Sequence, residues 1–260
     1  MTSFWSRILV TALGAPLVLW IVWLGGWPLV ALATLAALLA MHELYWMTRT
    51  LRPVVLAGYL GAIAVLVGAE LGGPEWALAG LFATLALAFV VKGSAAAASV
   101  SLTLLGVGWV AMGLAFVVLL RGIDEHGVLA VYTVLLAVWA GDAAAYLIGM
   151  LLGRHKLAPT VSPGKTWEGL AAGTLATIAV AFIALYKSSF LSIPESLVLG
   201  AVIAIVAPLG DLFESAVKRD SAVKDSGSLL GGHGGVLDRL DALLFAWVAA
   251  YYVVAAFGQT

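Results

Sequence analysis

Val128 through Gly153 reads VLAVYTVLLAVWAGDAAAYLIGMLLG, an apolar run whose only charged residue is Asp142. A spanning α-helix needs roughly 20 mostly apolar residues, about 17 to 25, and this stretch meets that length with one acid inside it. Working outward, comparable runs lie near 8–24, 27–47, 54–69, 75–91, 99–120, 169–188, 196–217 and 236–257. Breaks fall at Gly25-Gly26-Trp27-Pro28, Arg52-Pro53, Gly72-Gly73-Pro74, Lys92-Gly93-Ser94 and between Arg121 and Gly127. The pattern predicts an all-α polytopic membrane protein of about nine transmembrane helices. Composition agrees: 63% of the residues are hydrophobic and only 10% are charged, against about 25% charged in soluble domains. Too few ionic side chains remain to cover a water-soluble surface of this size, and a disordered chain needs low hydrophobicity. The expected organisation is one integral membrane domain over 1–260, in which helices of about 1–120 precede a catalytic half of about 128–260.

Absent residues narrow the chemistry. With no cysteine there is no disulfide framework, thiolate metal site or cysteine nucleophile. A net charge of −1 gives no bulk preference for nucleic acid, and none is expected as a partner. The run after Arg7 flows into a second span without a small-residue cleavage site, and reads as a retained helix rather than a signal peptide.

The distribution of charge orients the chain. With nine spans, one face carries Arg7, Arg49, Arg52, Lys92, Arg154, Lys156, Lys165, Lys218, Arg219, Lys224 and Arg239, eleven of the thirteen basic residues. Arg121 and Lys187 fall on the other face. Cytoplasmic loops are enriched in Lys and Arg, so the amino terminus and the polar loops 154–168 and 218–235 are expected in the cytoplasm. The carboxyl terminus is expected outside.

Acids and bases gather in two windows, Asp142–Glu168 (DAAAYLIGMLLGRHKLAPTVSPGKTWE) and Asp211–Asp241 (DLFESAVKRDSAVKDSGSLLGGHGGVLDRLD). Acids near or inside a bilayer are costly and mark functional sites. Asp211, Glu214, Ser215 and Lys218 are spaced i, i+3, i+4, i+7, one stripe of one helix, and Asp238 and Asp241 are spaced i, i+3 at the start of the last span. Carboxylates beside Lys and Arg suit a divalent cation holding phosphate oxygens, and hard oxygen ligands suit Mg²⁺. Intramembrane salt bridges that steady the bundle are the competing reading. Asp142 lies roughly 16 Å inside its span at 1.5 Å per residue, which implies a polar, cytoplasm-facing cavity or a protonated, hydrogen-bonded carboxyl. Ser162-Pro163-Gly164 is turn chemistry, and Lys165 and Thr166 open the next span, where backbone N–H groups bind anions. The segment is not a P-loop, because Pro159 stands where GxxxxGK[ST] requires glycine. His233 sits between Gly231-Gly232 and Gly234-Gly235, which would let backbone approach a ligand closely.

The second window, Ser215-x-x-Lys218-Arg219, then Lys224-Asp225-x-Gly227, then His233-Gly234-Gly235-x-x-Asp238-Arg239-x-Asp241, resembles the signature of the phosphatidate cytidylyltransferase (CDP-diacylglycerol synthase) family. The first window, from Asp142 and Tyr146 through HKLAP and VSPGKTWE, is similar to that family's other characteristic stretch. Ala143 and Ala144 depart from it, where many members carry small polar residues and glycine. The resemblance implies CTP and phosphatidate as substrates, CDP-diacylglycerol and pyrophosphate as products, and Mg²⁺ as cofactor, with a second cation left open. It also implies a multi-pass protein of the inner (plasma) membrane and a homodimer. On this reading Asp211, Asp238, Lys165 and His233 form the catalytic group. Asp211 and Asp238 would be the principal metal ligands, joined by Asp241, with Asp142 second-rank and on the substrate side. Lys165, Lys218, Arg219 and Lys224 would hold triphosphate and phosphatidate, and His233 would orient a phosphate oxygen. Ser162, Ser215, Asp225 and Arg239 complete the substrate-binding set. The nearest competing readings are a CTP-dependent polyisoprenol or phytol kinase and, from another class, an ion-coupled transporter.

Overall fold

The computed structural model describes residues 14–93, 97–227 and 234–258. Its helices are α1 (Gly14–Leu24), α2 (Gly26–Met47), α3 (Val55–Lys92), α4 (Ala97–Arg121), α5 (Gly127–Leu152), α6 (Trp167–Leu185), α7 (Ile193–Asp220) and α8 (Leu237–Ala256). Strands β1 (Lys156–Ala158) and β2 (Ser162–Thr166) form an antiparallel hairpin between α5 and α6, with Lys156 opposite Thr166 and Ala158 opposite Ser162. Among the described residues, seven helices, α2 to α8, are long and apolar enough to cross a membrane. The all-α, polytopic expectation therefore holds.

The count differs from nine for two reasons. The first expected span is described only from Gly14, and the spans expected at 54–69 and 75–91 form the single 38-residue element α3. That element is not straight. Gly72 (φ −151°, ψ 20°) and Gly73 (φ 71°, ψ −159°) leave helical geometry just before Pro74. A Cβ on Gly68 would lie 2.7 Å from the Trp76 carbonyl oxygen, and one on Gly80 would lie 2.9 Å from the backbone of Ala64 and Val65. Residues before the break thus meet residues after it in antiparallel order, so α3 is a helical hairpin. Small residues permit this backbone-to-backbone approach, the usual means of helix association where lipid removes the hydrophobic drive.

The chain divides into two compact units, one of residues 1–122 with 221–240 and one of 123–220 with 241–260. In the first, α2, α3 and α4 pack together. Met41, Leu44, Leu66 and Leu120 are fully buried there. Tyr45 donates its hydroxyl to the Thr103 carbonyl at 2.9 Å, and Thr103 Oγ1 accepts from the Val54 N–H at 2.8 Å. The turn from α1 to α2 passes through left-handed Gly25 (φ 66°) and Gly26 (φ 52°). Arg121 covers it, donating from Nε to the Val22 carbonyl at 2.7 Å and from Nη2 to the Trp23 carbonyl at 2.9 Å. A cation on the last carbonyls of a helix satisfies orphan acceptors and complements the macrodipole, which gives this arginine a structural role.

In the second unit α5 packs on α6, and α6 on α7. Small residues line the first seam: Gly169, Gly173 and Thr177 recur every four residues on α6. A Cβ on Gly173 would stand 2.9 Å from the Gly141 carbonyl oxygen, and Thr177 Oγ1 donates to the Ala137 carbonyl at 3.2 Å. Thr166 caps α6, its hydroxyl oxygen accepting from the Gly169 N–H at 3.1 Å. Large apolar side chains such as Leu56, Phe82, Val90, Leu175 and Ile183 are exposed, as expected of helices whose outer solvent is hydrocarbon.

Candidate active site

The second unit brings several expected site residues together. β2 carries Lys165, and its Nζ lies 2.7 Å from Asp211 Oδ2 on α7. Ser215, one helical turn on, donates from Oγ to Asp211 Oδ1 at 3.3 Å. Lys218 donates to Glu214 Oε2 at 2.6 Å, in a pair with side chains 12% and 1% exposed. Asp241 on α8 stands within electrostatic range of Asp211, Asp142 and Lys218. Four carboxyl groups (Asp142, Asp211, Glu214, Asp241) thus stand in a group with two lysines, Lys165 and Lys218.

Around this group, Arg219 donates from Nε to the Val161 carbonyl at 3.2 Å and so holds the β-hairpin turn. His155 Nδ1 pairs with Glu168 Oε1 at 2.6 Å across the base of the hairpin. Ser162 opens β2, opposite Ala158. Beside Asp142, a small pocket is lined by Gly141, Ala145, Gly173, Thr174, Thr177 and Pro208.

Lys165 therefore sits on a strand, before the Thr166 cap, and its ammonium is directed to a carboxylate. The expected first-turn position at a helix start is taken instead by Trp167. A three-residue strand such as Lys156–Ala158 is too short to leave an alternating pattern in the sequence.

In the first unit, Asp238 opens α8 and ties the preceding segment. It accepts from the Gly235 N–H at 2.8 Å (Oδ2) and from the Ser226 N–H at 3.2 Å (Oδ2) and 3.3 Å (Oδ1). Lys224, Asp225 and Arg239 are exposed in this unit. His233 lies outside the described residues. A residue not singled out from the sequence completes the arrangement: Glu43 of α2 is 7% exposed. Its Oε2 accepts from Ser226 Oγ and from the Leu237 N–H, each at 2.9 Å, and its Oε1 accepts from the Val236 N–H at 2.9 Å. The signal was present, because Glu43 is the only acid in the apolar run Gly26–Met47, as Asp142 is in its own run.

The donor set fits a hard divalent cation, since every acidic side chain in the second-unit group offers oxygen and acids outnumber lysines. Among the described residues no three His, Asp or Glu side chains stand in a metal-holding arrangement. Lys165 occupies Asp211 Oδ2, and Asp241 Oδ1 accepts from the Ala242 N–H of its own helix at 2.7 Å.

The chain matches the family model described as "Cytidylyltransferase family" over residues 5–257. It is 32% identical to a phosphatidate cytidylyltransferase of Bacillus subtilis over 99% of this chain and 100% of that one. To the phosphatidate cytidylyltransferase of Brucella suis it is 33% identical, over 100% of this chain and 96% of the relative. A Haemophilus influenzae protein of the same name is 45% identical over 46% of this chain and 44% of its own length. A match that runs nearly end to end, with relatives about a third identical over their whole length, makes this chain a member of the cytidylyltransferase family.

Proposed function

We propose that this protein is a phosphatidate cytidylyltransferase of the bacterial inner membrane, converting CTP and phosphatidate to CDP-diacylglycerol and pyrophosphate. The observation that carries the reading is the group of Asp142, Asp211 and Asp241 with Lys165 and Lys218 in one unit, in a chain that belongs to the cytidylyltransferase family. A phosphatidate oxygen attacks the α-phosphorus of CTP, the bond from that phosphorus to the β-phosphate oxygen breaks, and pyrophosphate leaves with the electron pair. Both reactants are anions, so positioning and charge neutralisation dominate, as in other phosphoryl transfers. The phosphatidate monoester is already largely ionised near neutral pH, and no strong general base is required.

Asp211, Asp238 and Asp241 are the proposed Mg²⁺ ligands, with Asp142 beside them. When bound, Mg²⁺ supplies charge neutralisation at the phosphates. Lys165, Lys218, Arg219 and Lys224 hold phosphate oxygens as fixed cations, and His233 orients one of them. Ser162, Ser215, Asp225 and Arg239 complete the binding set. Loops 154–168 and 218–235 face the cytoplasm, where CTP is found. A homodimer, implied by the family resemblance, belongs to the same proposal and is tested by the mass of the detergent-solubilised protein.

The deciding experiment incubates purified protein with phosphatidate, Mg²⁺ and CTP labelled at the α-phosphorus. Label passing into lipid supports the proposal. Label remaining in CDP while a lipid alcohol becomes phosphorylated would replace it with a lipid kinase.

A further inference from the structure

We propose that Glu43 is a positioning residue for this reaction: its carboxylate clamps both described flanks of the segment between α7 and α8 and thereby sets the place of Asp238. The inference rests on the function proposed above and adds to it a residue from outside both charged windows. Glu43 lies on α2, and its three partners are 183, 193 and 194 residues away in sequence. Two of them, the N–H groups of Val236 and Leu237, are orphan donors at the start of α8. A carboxylate from a distant helix therefore supplies the cap that α8 does not find in its own sequence.

The third partner, Ser226, links the clamp to Asp238. Its hydroxyl donates to Glu43 Oε2 at 2.9 Å, while its backbone N–H donates to the Asp238 carboxylate. Ser226 itself is 1% exposed, so this chain of bonds is shielded from water, where each bond is stronger and each missing one more costly. The glycines of the signature fit the same purpose. A Cβ on Gly227 would come within 2.6 Å of Glu43 Oε1, and one on Gly235 would collide with Ser226 Oγ and Glu43 Oε2. Any side chain at either position would push the carboxylate away. A buried acid whose two oxygens accept three hydrogen bonds, with two glycines making room for it, is placed to fix a geometry. It touches neither substrate nor metal in this role.

The test compares wild type with Glu43→Gln, whose amide nitrogen would face backbone N–H donors and mispair. Amide hydrogen exchange on peptides covering 224–240 is measured without substrates. Cytidylyl transfer is then assayed against CTP and Mg²⁺ concentration. Loss of a charge-assisted bond should speed exchange at Val236 and Leu237 by roughly tenfold or more. It should also lower kcat/KM for CTP by about as much and raise the Mg²⁺ concentration for half-maximal rate, with Glu43→Asp recovering part of each. A residue that only steadied the bundle would lower the melting temperature and leave the Mg²⁺ dependence alone. If Glu43→Gln does not fold, Ser226→Ala removes one bond of the clamp and should shift all three readouts in the same direction by a smaller factor. Unchanged exchange in a folded variant, or faster exchange with wild-type kcat/KM and Mg²⁺ dependence, would overturn the proposal. A wild type without cytidylyl transfer would instead remove the function proposed above, and the exchange measurement would still report on the clamp.

Discussion

Lys165 Nζ lies 2.7 Å from Asp211 Oδ2, an ion pair whose side chains are 23% and 35% exposed. A lysine thus neutralises the carboxylate that the proposed reaction assigns to Mg²⁺. The same oxygen cannot serve both cations at full strength, so Lys165 is free to turn to a phosphate once Asp211 has another counter-charge. Binding of the metal and of the nucleotide would then be coupled through one side chain.

Lys165→Ala should therefore lower kcat/KM for CTP at least tenfold, since a charge-assisted bond to phosphate is worth roughly 1.5–3 kcal/mol. The melting temperature should move little, because a partly exposed ion pair contributes only about 0–1 kcal/mol. Steady-state kinetics and a thermal melt on the same preparation check this. Normal kinetics with a lowered melting temperature would make Lys165 a structural anchor of β2. The phosphate role would then pass to Lys218, Arg219 and Lys224.

Asp211→Asn and Asp238→Asn should each abolish turnover, but with different effects on stability. Asp211 is bonded to two side chains, Lys165 and Ser215; the partly exposed lysine can turn to water in the variant, and the asparagine oxygen can still accept from the Ser215 hydroxyl. Asp238 accepts from the N–H groups of Ser226 and Gly235, and an asparagine there removes the acceptor's charge and sets its amide NH2 against the Ser226 N–H, at about 1–3 kcal/mol. Asp238→Asn should accordingly melt several degrees lower than Asp211→Asn. Near-normal turnover in either variant at ordinary Mg²⁺ would remove that residue from the metal set.

The spans were legible because hydrophobic length is a local property, and even the break at Gly72-Gly73-Pro74 was written in three adjacent residues. The stripe Asp211, Ser215, Lys218 was legible because helical spacing fixes it. What the stripe meets was not. Asp211 meets Lys165 on a strand, whereas the pairing of Lys218 with Glu214 lies within the stripe and follows its spacing. Glu43 escaped notice because its partners are mostly backbone N–H groups nearly two hundred residues away, which leave no side-chain pattern to read. The β-hairpin escaped because Lys156–Ala158 is shorter than any detectable alternation.

The orientation inferred from eleven of thirteen basic residues can be tested directly in this cysteine-free chain. Gly164→Cys and Lys224→Cys place single thiols at exposed positions of the two polar loops. An impermeant maleimide should leave both unlabelled in intact cells and label both after permeabilisation. Labelling of either from outside would overturn the cytoplasmic placement of the proposed site.

The hairpin in α3 offers a test of the fold itself. A continuous 38-residue helix would extend about 57 Å at 1.5 Å per residue, nearly twice the roughly 30 Å hydrocarbon core of a bilayer. Folding back at Gly72 and Gly73 resolves that mismatch, and the close seam requires small residues along it. At Gly80 the nearest neighbours of an added Cβ are backbone atoms, the Ala64 carbonyl carbon and the Val65 nitrogen, each at 2.9 Å. Backbone of a facing helix cannot rotate aside as a side chain can, so the two halves must separate to admit a larger residue. Gly80→Leu should destabilise by at least the roughly 1–3 kcal/mol typical of overpacking, read as a lowered melting temperature in detergent. Gly73→Ala meets no neighbour within 4 Å but holds φ at 71°, so it should destabilise through backbone strain alone, by about 1 kcal/mol. A Gly80→Leu protein that melts like wild type would mean that the halves of α3 do not pack against each other, and the hairpin would be withdrawn.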